Sequence, residues 1–209
     1  EDQVKDVGLR LRYIKYWNSS QPHKSVMVLL ENGELLDGLR VFSLLNDPTP
    51  MVVGEHLILE LARKLGVLTP QSDFARVIVN NKDLGVFHYE AQPDESLLRQ
   101  SNRMPGSIYS GDLPGSAQTE ELWRDAKRWK KVSFRTDTEE DRADMGEIER
   151  LLTSVRESSF TEFRAFALRE IDLRKFAWFD VLDVAFGGDQ HDFRKNHKLY
   201  FDPYRGRWE

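Results

Sequence analysis

Apolar and polar positions alternate along the first part of the chain, and this pattern predicts a set of β-strands. Residues 7–16 alternate apolar with basic side chains at a period of two, which is typical of a half-buried strand. Four further stretches are rich in apolar and β-branched residues and predict strands as well: 24–30, about 39–44, 74–80 and 84–90. Turn-forming residues lie at 31–34 and at 81–83, so the last two stretches predict a hairpin.

Helical spacing appears next to these strands and dominates the second half of the chain. Leu57, Leu61 and Leu65, together with Ile58 and Ala62, form one apolar stripe over residues 54–65, and Gly66 is well placed to end that helix. Asp94 predicts the start of a short helix that runs through Leu98. Two longer helices are predicted over two later ranges: 138 to about 157, and 161–186.

The order of these elements predicts an α+β fold in two lobes. An N-terminal antiparallel sheet with one helix makes up a small lobe over residues 1–90, and a mostly helical large lobe follows over 91–209. Residues 99–137 are rich in Gly, Pro, Ser and charge, which predicts a long irregular connection with one short helix near 120–129. A strand at 198–201 and a turn at 202–206 are predicted to close the chain.

Composition excludes several classes of protein. The 209 residues carry a formal net charge of −5, which argues against a nucleic-acid binder driven by bulk charge. The absence of cysteine excludes disulfides, thiolate zinc sites and a cysteine nucleophile. No apolar run approaches the roughly 18 to 20 residues of a membrane span. Neither a dinucleotide-binding glycine motif nor a P-loop occurs, which disfavours dinucleotide enzymes and standard NTPases.

The polar loop before the last strand carries the strongest candidate chemistry. A carboxylate, Asp189 or Asp192, precedes Asn196, and a strand follows at once. In protein kinases an Asp orients the attacking hydroxyl and an Asn a few residues later binds a magnesium ion. An alternative interpretation of the same residues is a polar turn whose side chains form hydrogen bonds with their own backbone. A metal hydrolase built on His191, Asp192 and His197 is disfavoured, because no H-E-x-x-H helix accompanies them.

Six segments, in the same order, resemble the CotH kinase family of atypical, protein-kinase-like proteins. They are Lys24-Ser25, 36–42, 61–66, 80–90, 103–109 and 191–200. The similarity runs from about residue 7 to the end. The resemblance implies a two-lobed atypical kinase fold that binds ATP with magnesium and transfers phosphate to Ser or Thr of a protein substrate. It also points to a bacterial, exported or coat-associated setting.

The resemblance suggests roles for residues of the small lobe. Lys24 opens the second strand, from which a lysine can reach nucleotide phosphates, although an ordinary exposed strand lysine explains it equally well. Glu60 and Glu55 are candidates to orient this lysine, against the alternative of a solvated helix face. Glu90 is expected at the hinge that meets the adenine through backbone groups, and its carboxylate could equally fasten the hinge to the large lobe.

The catalytic and metal-binding roles fall on the late loop. Asp192 lies four residues before Asn196 and follows His191, which favours it as the catalytic base. Asp189 lies seven residues before Asn196 and is kept as a rival. Asn196 is the candidate metal ligand. The element with which the family holds its catalytic magnesium is expected beyond Glu209, so residues 1–209 are expected to bind nucleotide weakly or to be inactive.

A second class of function competes with the enzyme. A kinase-like fold can be kept as a binding or adhesion module without transferring phosphate. The basic, aromatic stretch 123–131 and the region 105–116 are candidates for a partner surface, although a charged loop is more often simply solvated.

Overall fold

A computed structural model describes residues 7–11, 24–46, 51–111, 122–136, 138–187 and 196–209. These residues form an α+β structure with two antiparallel sheets and several helices. The chain divides into two compact units. The first unit is Glu1–Lys64 with Thr69–Gln92, and the second is Leu65–Leu68 with Pro93–Glu209.

The first unit contains a five-stranded antiparallel sheet and one helix. In chain order its elements are β1 (Val7–Leu11), β2 (Val26–Leu30), β3 (Val41–Leu45), α1 (Met51–Lys64), β4 (Ser72–Val79) and β5 (Lys82–Ala91). The strands lie side by side in the order β1-β2-β3-β5-β4. The predicted sheet with one helix is therefore confirmed. Of the first predicted strand, residues 12–16 lie outside the described residues.

The turn between β4 and β5 shows how local chemistry sets a hairpin. Asn80 and Asn81 have φ values of 50° and 61°, so both are left-handed, as a tight two-residue hairpin turn requires. The predicted turn at 81–83 is thus shifted, because Lys82 and Asp83 already belong to β5. Asparagine tolerates this backbone conformation better than most residues with side chains.

Helix α1 buries only part of its predicted apolar stripe. Leu57 and Leu61 are 54% and 40% exposed, whereas Ala62 is 5% exposed. The stripe is therefore buried at Ala62 and exposed along its leucines. The buried apolar cluster of this unit consists of sheet and loop residues: Val28, Leu30, Leu39, Phe42, Tyr89 and Ala91.

The second unit combines a four-stranded antiparallel sheet with helices. Its elements are α2 (Glu95–Gln100), β6 (Ser107–Gly111), two 3-10 turns (Leu122–Arg124 and Ala126–Arg128), β7 (Trp129–Ser133), α3 (Glu139–Ala143), α4 (Gly146–Glu157), α5 (Phe160–Glu170), α6 (Leu173–Ala185), β8 (His197–Asp202) and β9 (Arg207–Trp208). The strand order is β7-β6-β8-β9. Asp94 accepts a hydrogen bond from the Ser96 N–H and begins α2, as predicted. None of the described helices is long and apolar enough to cross a membrane.

The prediction of an irregular connection over residues 99–137 is wrong for the described residues, and its parts at 112–121 and 137 lie outside them. This range contributes β6 and β7 to the sheet, and two 3-10 turns stand where one short helix was expected. The sequence signal is weak because β6 is buried and does not alternate in polarity. Its partner β8 lies about ninety residues later, so the pairing is non-local.

The two long helices of the prediction are four shorter ones. The first is divided at Asp144, whose side-chain Oδ1 accepts a hydrogen bond from the Gly146 N–H at the start of α4. The second is divided at Ile171, which is extended and bridges to Trp208 of β9. Asp172 then caps α6 through the Lys175 N–H. Side-chain capping and one strand contact therefore end helices that periodicity alone continues.

The core of the second unit joins the sheet to helices α4 and α5. It consists of Tyr109, Leu122, Trp129, Ile148, Leu151, Leu152, Phe166, Ala167, Ile171, Leu199, Phe201 and Trp208. Trp208 is completely buried, and its ring lies 5.0 Å from Phe201 and 5.7 Å from Tyr109 between centroids. The last strand therefore closes this core.

A substitution at Gly106 tests how closely the chain before β6 packs against β8. A Cβ atom at this position would lie 2.7 Å from the Phe201 carbonyl oxygen and 2.7 Å from the Tyr200 ring. Because one of these atoms is backbone, we expect Gly106→Ala to destabilise the protein by roughly 1 to 3 kcal/mol in urea denaturation. Gly54→Ala is the control, since its Cβ would meet no atom within 4 Å and alanine favours the helix. Equal stability of the two variants would contradict the packing described here.

Candidate functional site

Lys24 lies at the entry to β2, near the middle of the first unit's sheet. The lysine is half-buried and stands two residues before the strand begins. The next residue, Ser25, accepts a hydrogen bond at 3.0 Å from the backbone N–H of Asn46, just past the end of β3. This bond ties the start of β2 to the end of β3, so Lys24 projects from an ordered part of the backbone.

Glu90 is part of a polar row that crosses three strands. It pairs directly with Ser43 of β3 and with Ser72 of β4, and directly paired residues share one face of a sheet. Both serines are buried, at 0% and 5% exposure. Gln92 donates a hydrogen bond at 2.8 Å to the Ser43 hydroxyl. Glu90 therefore lies near the end of β5 among polar groups.

Helix α1 packs on the same face through two imidazoles. His56 Nδ1 lies 3.0 Å from the Ser72 hydroxyl, and the His88 ring, which is almost completely buried, lies 6.3 Å from the His56 ring between centroids. Phe74 contacts both rings. Helix α1 therefore meets polar and aromatic groups on this face of the sheet.

The two candidate partners of Lys24 on α1 have different surroundings. Glu55 Oε2 lies 3.9 Å from His88 Nδ1. Glu60 forms an ion pair with Arg63 on its own helix, and Arg63 also donates a hydrogen bond at 2.9 Å to the Pro70 carbonyl. The structure thus gives Glu60 a cationic partner other than Lys24. An orienting role for either glutamate stays a prediction.

Asn196 stands directly before β8 in the second unit. Its φ is 65°, in the left-handed region that asparagine adopts more readily than most residues. The predicted base Asp192, its rival Asp189 and the neighbouring His191 lie outside the described residues. Within the described part of the chain, no group of three or more His, Asp or Glu side chains can hold a metal ion. The catalytic assignments in this loop stay predictions.

Aromatic rings support the end of the sheet where Asn196 lies. His197 pairs with Gly111 of β6, and Gly111 pairs with Trp129 of β7. Trp123 stands edge-on to both Trp129 and His197, with 5.4 Å between ring centroids in each case. The start of β8, and with it the backbone next to Asn196, is therefore held by pairing on one side and by ring packing on the other.

Glu209 is the centre of a buried charge network that sequence analysis missed. Its carboxylate is 1% exposed and contacts three cations: Arg103 Nε at 3.1 Å, Arg205 Nη1 at 3.0 Å, and Lys175 Nζ. Its backbone exchanges two hydrogen bonds of 2.8 Å with Tyr200. The one indication of this network in the sequence was Arg103, which begins one of the segments that resemble the family. Because three cations already surround it, this carboxylate stabilises the fold.

A second buried pair joins β7 to α3. Lys131 Nζ lies 2.9 Å from Asp141 Oδ1 and donates to the Asp141 carbonyl oxygen at 2.6 Å. Burial works to raise the pKa of the Asp141 carboxyl, but the Thr136 N–H, Lys131 and Arg135 outweigh it and hold that pKa below its usual range. The predicted partner surface over 123–131 is therefore only partly exposed, since Lys131 and Trp129 are buried.

Tyr109 belongs to the same region of the second unit. Its hydroxyl donates a hydrogen bond at 2.9 Å to Glu147 Oε2. Burial raises the pKa of the Tyr109 phenol, and the neighbouring Glu147 carboxylate adds to this rise. The phenol therefore stays protonated and acts as a donor. Part of the second candidate surface, 105–116, is thus committed to the core.

Comparison with known proteins gives one clear result. A search of curated proteins finds no match to the chain. A family model described as CotH kinase protein matches residues 17–209, which is nearly the whole chain and includes both units. The match covers the positions of Lys24, Glu60, Glu90, Asp189, Asp192 and Asn196. It indicates a kinase-like role, and the chain belongs to the CotH kinase family.

Proposed function

We propose that this protein is a phosphotransferase that moves the γ-phosphoryl group of ATP, with magnesium, to a Ser or Thr hydroxyl of a protein. The observation that carries the proposal is the family match over residues 17–209, because it spans the candidate nucleotide-binding and catalytic residues together. We further propose that the first unit acts as the nucleotide-binding lobe and the second as the catalytic lobe.

The residue types fit ATP and magnesium. Asn196 offers an amide oxygen, a type of ligand that suits magnesium, and Asp192 or its rival Asp189 offers a carboxylate that can accept a proton. Lys24 offers a positive charge for phosphate oxygens at a backbone position tied by the Ser25 to Asn46 bond. Asn196 stands directly before the ordered strand β8, so it can present its oxygen from a fixed backbone.

In the proposed reaction each of these side chains has one role. Asp192 accepts the proton of the acceptor hydroxyl while the hydroxyl oxygen forms a bond to the γ-phosphorus. The bond between that phosphorus and the β,γ-bridging oxygen breaks, and ADP leaves. Lys24 binds the phosphate oxygens, and Asn196 would be a ligand of the metal. Magnesium, when bound, neutralises charge on the phosphates.

Thermal unfolding with ligand tests the nucleotide site directly. We expect ATP with magnesium to raise the melting temperature, because a ligand that binds only the folded state stabilises it by about 2.7 kcal/mol at a hundred times its Kd. Lys24→Met should lose most of this rise. Lys82→Met is the matched control, since Lys82 is exposed on the β4–β5 hairpin.

The outcomes separate the two classes of function. A rise that needs magnesium and depends on Lys24 supports the phosphotransferase. If the melting temperature does not change with ATP, with or without magnesium, the proposal fails and the alternative of a kinase-like binding module remains. A rise of equal size in Lys24→Met and wild type would remove Lys24 from the site.

A further inference from the structure

A cleft of about 640 Å³ in the second unit is lined by Trp123, Arg124, Val155 and Arg156. The first two residues come from the 3-10 turn at 122–124, and the other two from the last turn of α4. The lining thus combines two guanidinium groups with an aromatic ring and an aliphatic side chain. This combination suits a charged group attached to a short apolar stem.

The Arg156 guanidinium is held in place before any ligand binds. Its Nη1 donates a hydrogen bond to the Arg124 carbonyl oxygen, which joins α4 to the 3-10 turn. Its Nη2 lies 3.2 Å from Glu157 Oε1. These bonds use two of the five N–H donors of an arginine. A guanidinium that is already positioned loses little conformational freedom when it binds a carboxylate or phosphate.

The surface beside the cleft is positive, although the protein as a whole is acidic. Residues 122–133 contain five Lys or Arg and one Asp, in a chain whose net charge is −5. Lys131 is used internally by Asp141, whereas Lys127 and Lys130 are exposed. The Asp125 carboxylate accepts a hydrogen bond from the Lys127 N–H. The two exposed ammonium groups are complementary to an anionic ligand, while the Arg156 charge is shared with Glu157.

The cleft also lies beside the start of β8. Trp123, one of its walls, contacts the His197 ring, and His197 follows Asn196 directly. An extended peptide advances about 3.3 Å per residue. A side chain anchored in the cleft therefore leaves the next few residues of the same peptide close to Asn196.

From this geometry we propose that the cleft binds an anionic side chain, a carboxylate or a phosphoryl group, of the protein acceptor. The inference rests on the proposed function and gives its substrate class: Ser or Thr within an acidic or already phosphorylated segment. Arg156 and Arg124 bind the anionic oxygens, and Trp123 and Val155 contact the stem of the side chain. The two arginines are positioning residues for the acceptor.

Binding of labelled peptides tests this inference without any phosphate transfer. Three fluorescent peptides with one central Ser differ only in flanking residues: Glu, phosphoserine or Lys. By anisotropy with the full chain, we expect a Kd at least about tenfold lower for the Glu and phosphoserine peptides than for the Lys peptide. Arg156→Gln and Arg124→Gln should each raise the Kd of the anionic peptides about tenfold. Arg164→Gln, at an exposed position of α5, makes the same charge change and should leave it unaltered.

Each outcome decides one question. The Glu and phosphoserine peptides show which anionic group fits better, and preference for either supports the inference. Equal Kd values for all three peptides overturn it, as do unchanged values in both arginine variants with melting temperatures like wild type. Displacement of the peptides by ATP alone would assign the cleft to nucleotide and also overturn it. Thermal unfolding with ATP and magnesium, run in parallel, tests the proposed function: no rise in melting temperature contradicts the phosphotransferase, whatever the peptide Kd values are.

Discussion

Asp192→Asn is expected to lower the rate of phosphate transfer to a Ser or Thr acceptor by roughly 10²- to 10⁴-fold, the usual contribution of a general base. The amide keeps the size and shape of the carboxylate but cannot take the proton of the acceptor hydroxyl. Transfer from radiolabelled ATP in single-turnover conditions measures the change. The Kd for ATP and the melting temperature should stay close to those of wild type, since the change removes only a proton acceptor.

Asp189→Asn is the matched control for this prediction. It removes the same charge from the same loop, seven residues instead of four before Asn196. We expect its rate to fall by no more than a few fold, because a nearby carboxylate affects the site mainly through its field. A large loss in Asp189→Asn with little loss in Asp192→Asn would make Asp189 the base. Unchanged rates in both variants would contradict a base in this loop.

Asp141→Asn is expected to cost about 3 kcal/mol of stability, because it leaves the Lys131 ammonium buried without its counter-charge. The Lys131 side chain is 2% exposed and Asp141 is 9% exposed. Urea denaturation at neutral pH measures the loss. Lys131→Met combined with Asp141→Leu should cost less than the single change, because it removes both charges together.

The same pair predicts a dependence on pH. The pKa of Asp141 is lowered in the folded state, so its stabilisation is present above the unfolded value of about 3.9 and is lost as pH falls through the folded value. The difference in stability between wild type and Asp141→Asn should therefore shrink as pH falls below about 4. Asp83→Asn, in an exposed pair with Arg76, should cost much less at any pH. A difference that stays constant through acid pH would contradict the role of the carboxylate.

The structural surroundings of individual residues show why the candidate site is harder to predict than the fold. In the sequence, Lys131 looks like an ordinary residue of a basic run, and Glu209 looks like an ordinary charged residue at the last position. Their partners Asp141 and Arg103 lie 10 and 106 residues away in the chain. Burial of a charge depends on what packs around it, and no local pattern reports that. Asn196, by contrast, stands next to a strand whose apolar pattern is clear.

Elements governed by short-range chemistry were determined by the sequence alone. The hairpin of β4 and β5, the Asp94 cap of α2 and the order of elements in the first unit depend on residues close together in the chain. The family resemblance likewise rests on short segments in order. Tertiary structure decided the rest. It placed β6 and β7 in a sheet with β8, ended α5 at Ile171 through the bridge to Trp208, and left Leu57 exposed. The reason is physical: turns and caps are satisfied within a few residues, whereas strand pairing and buried charges are satisfied only by partners that folding brings together.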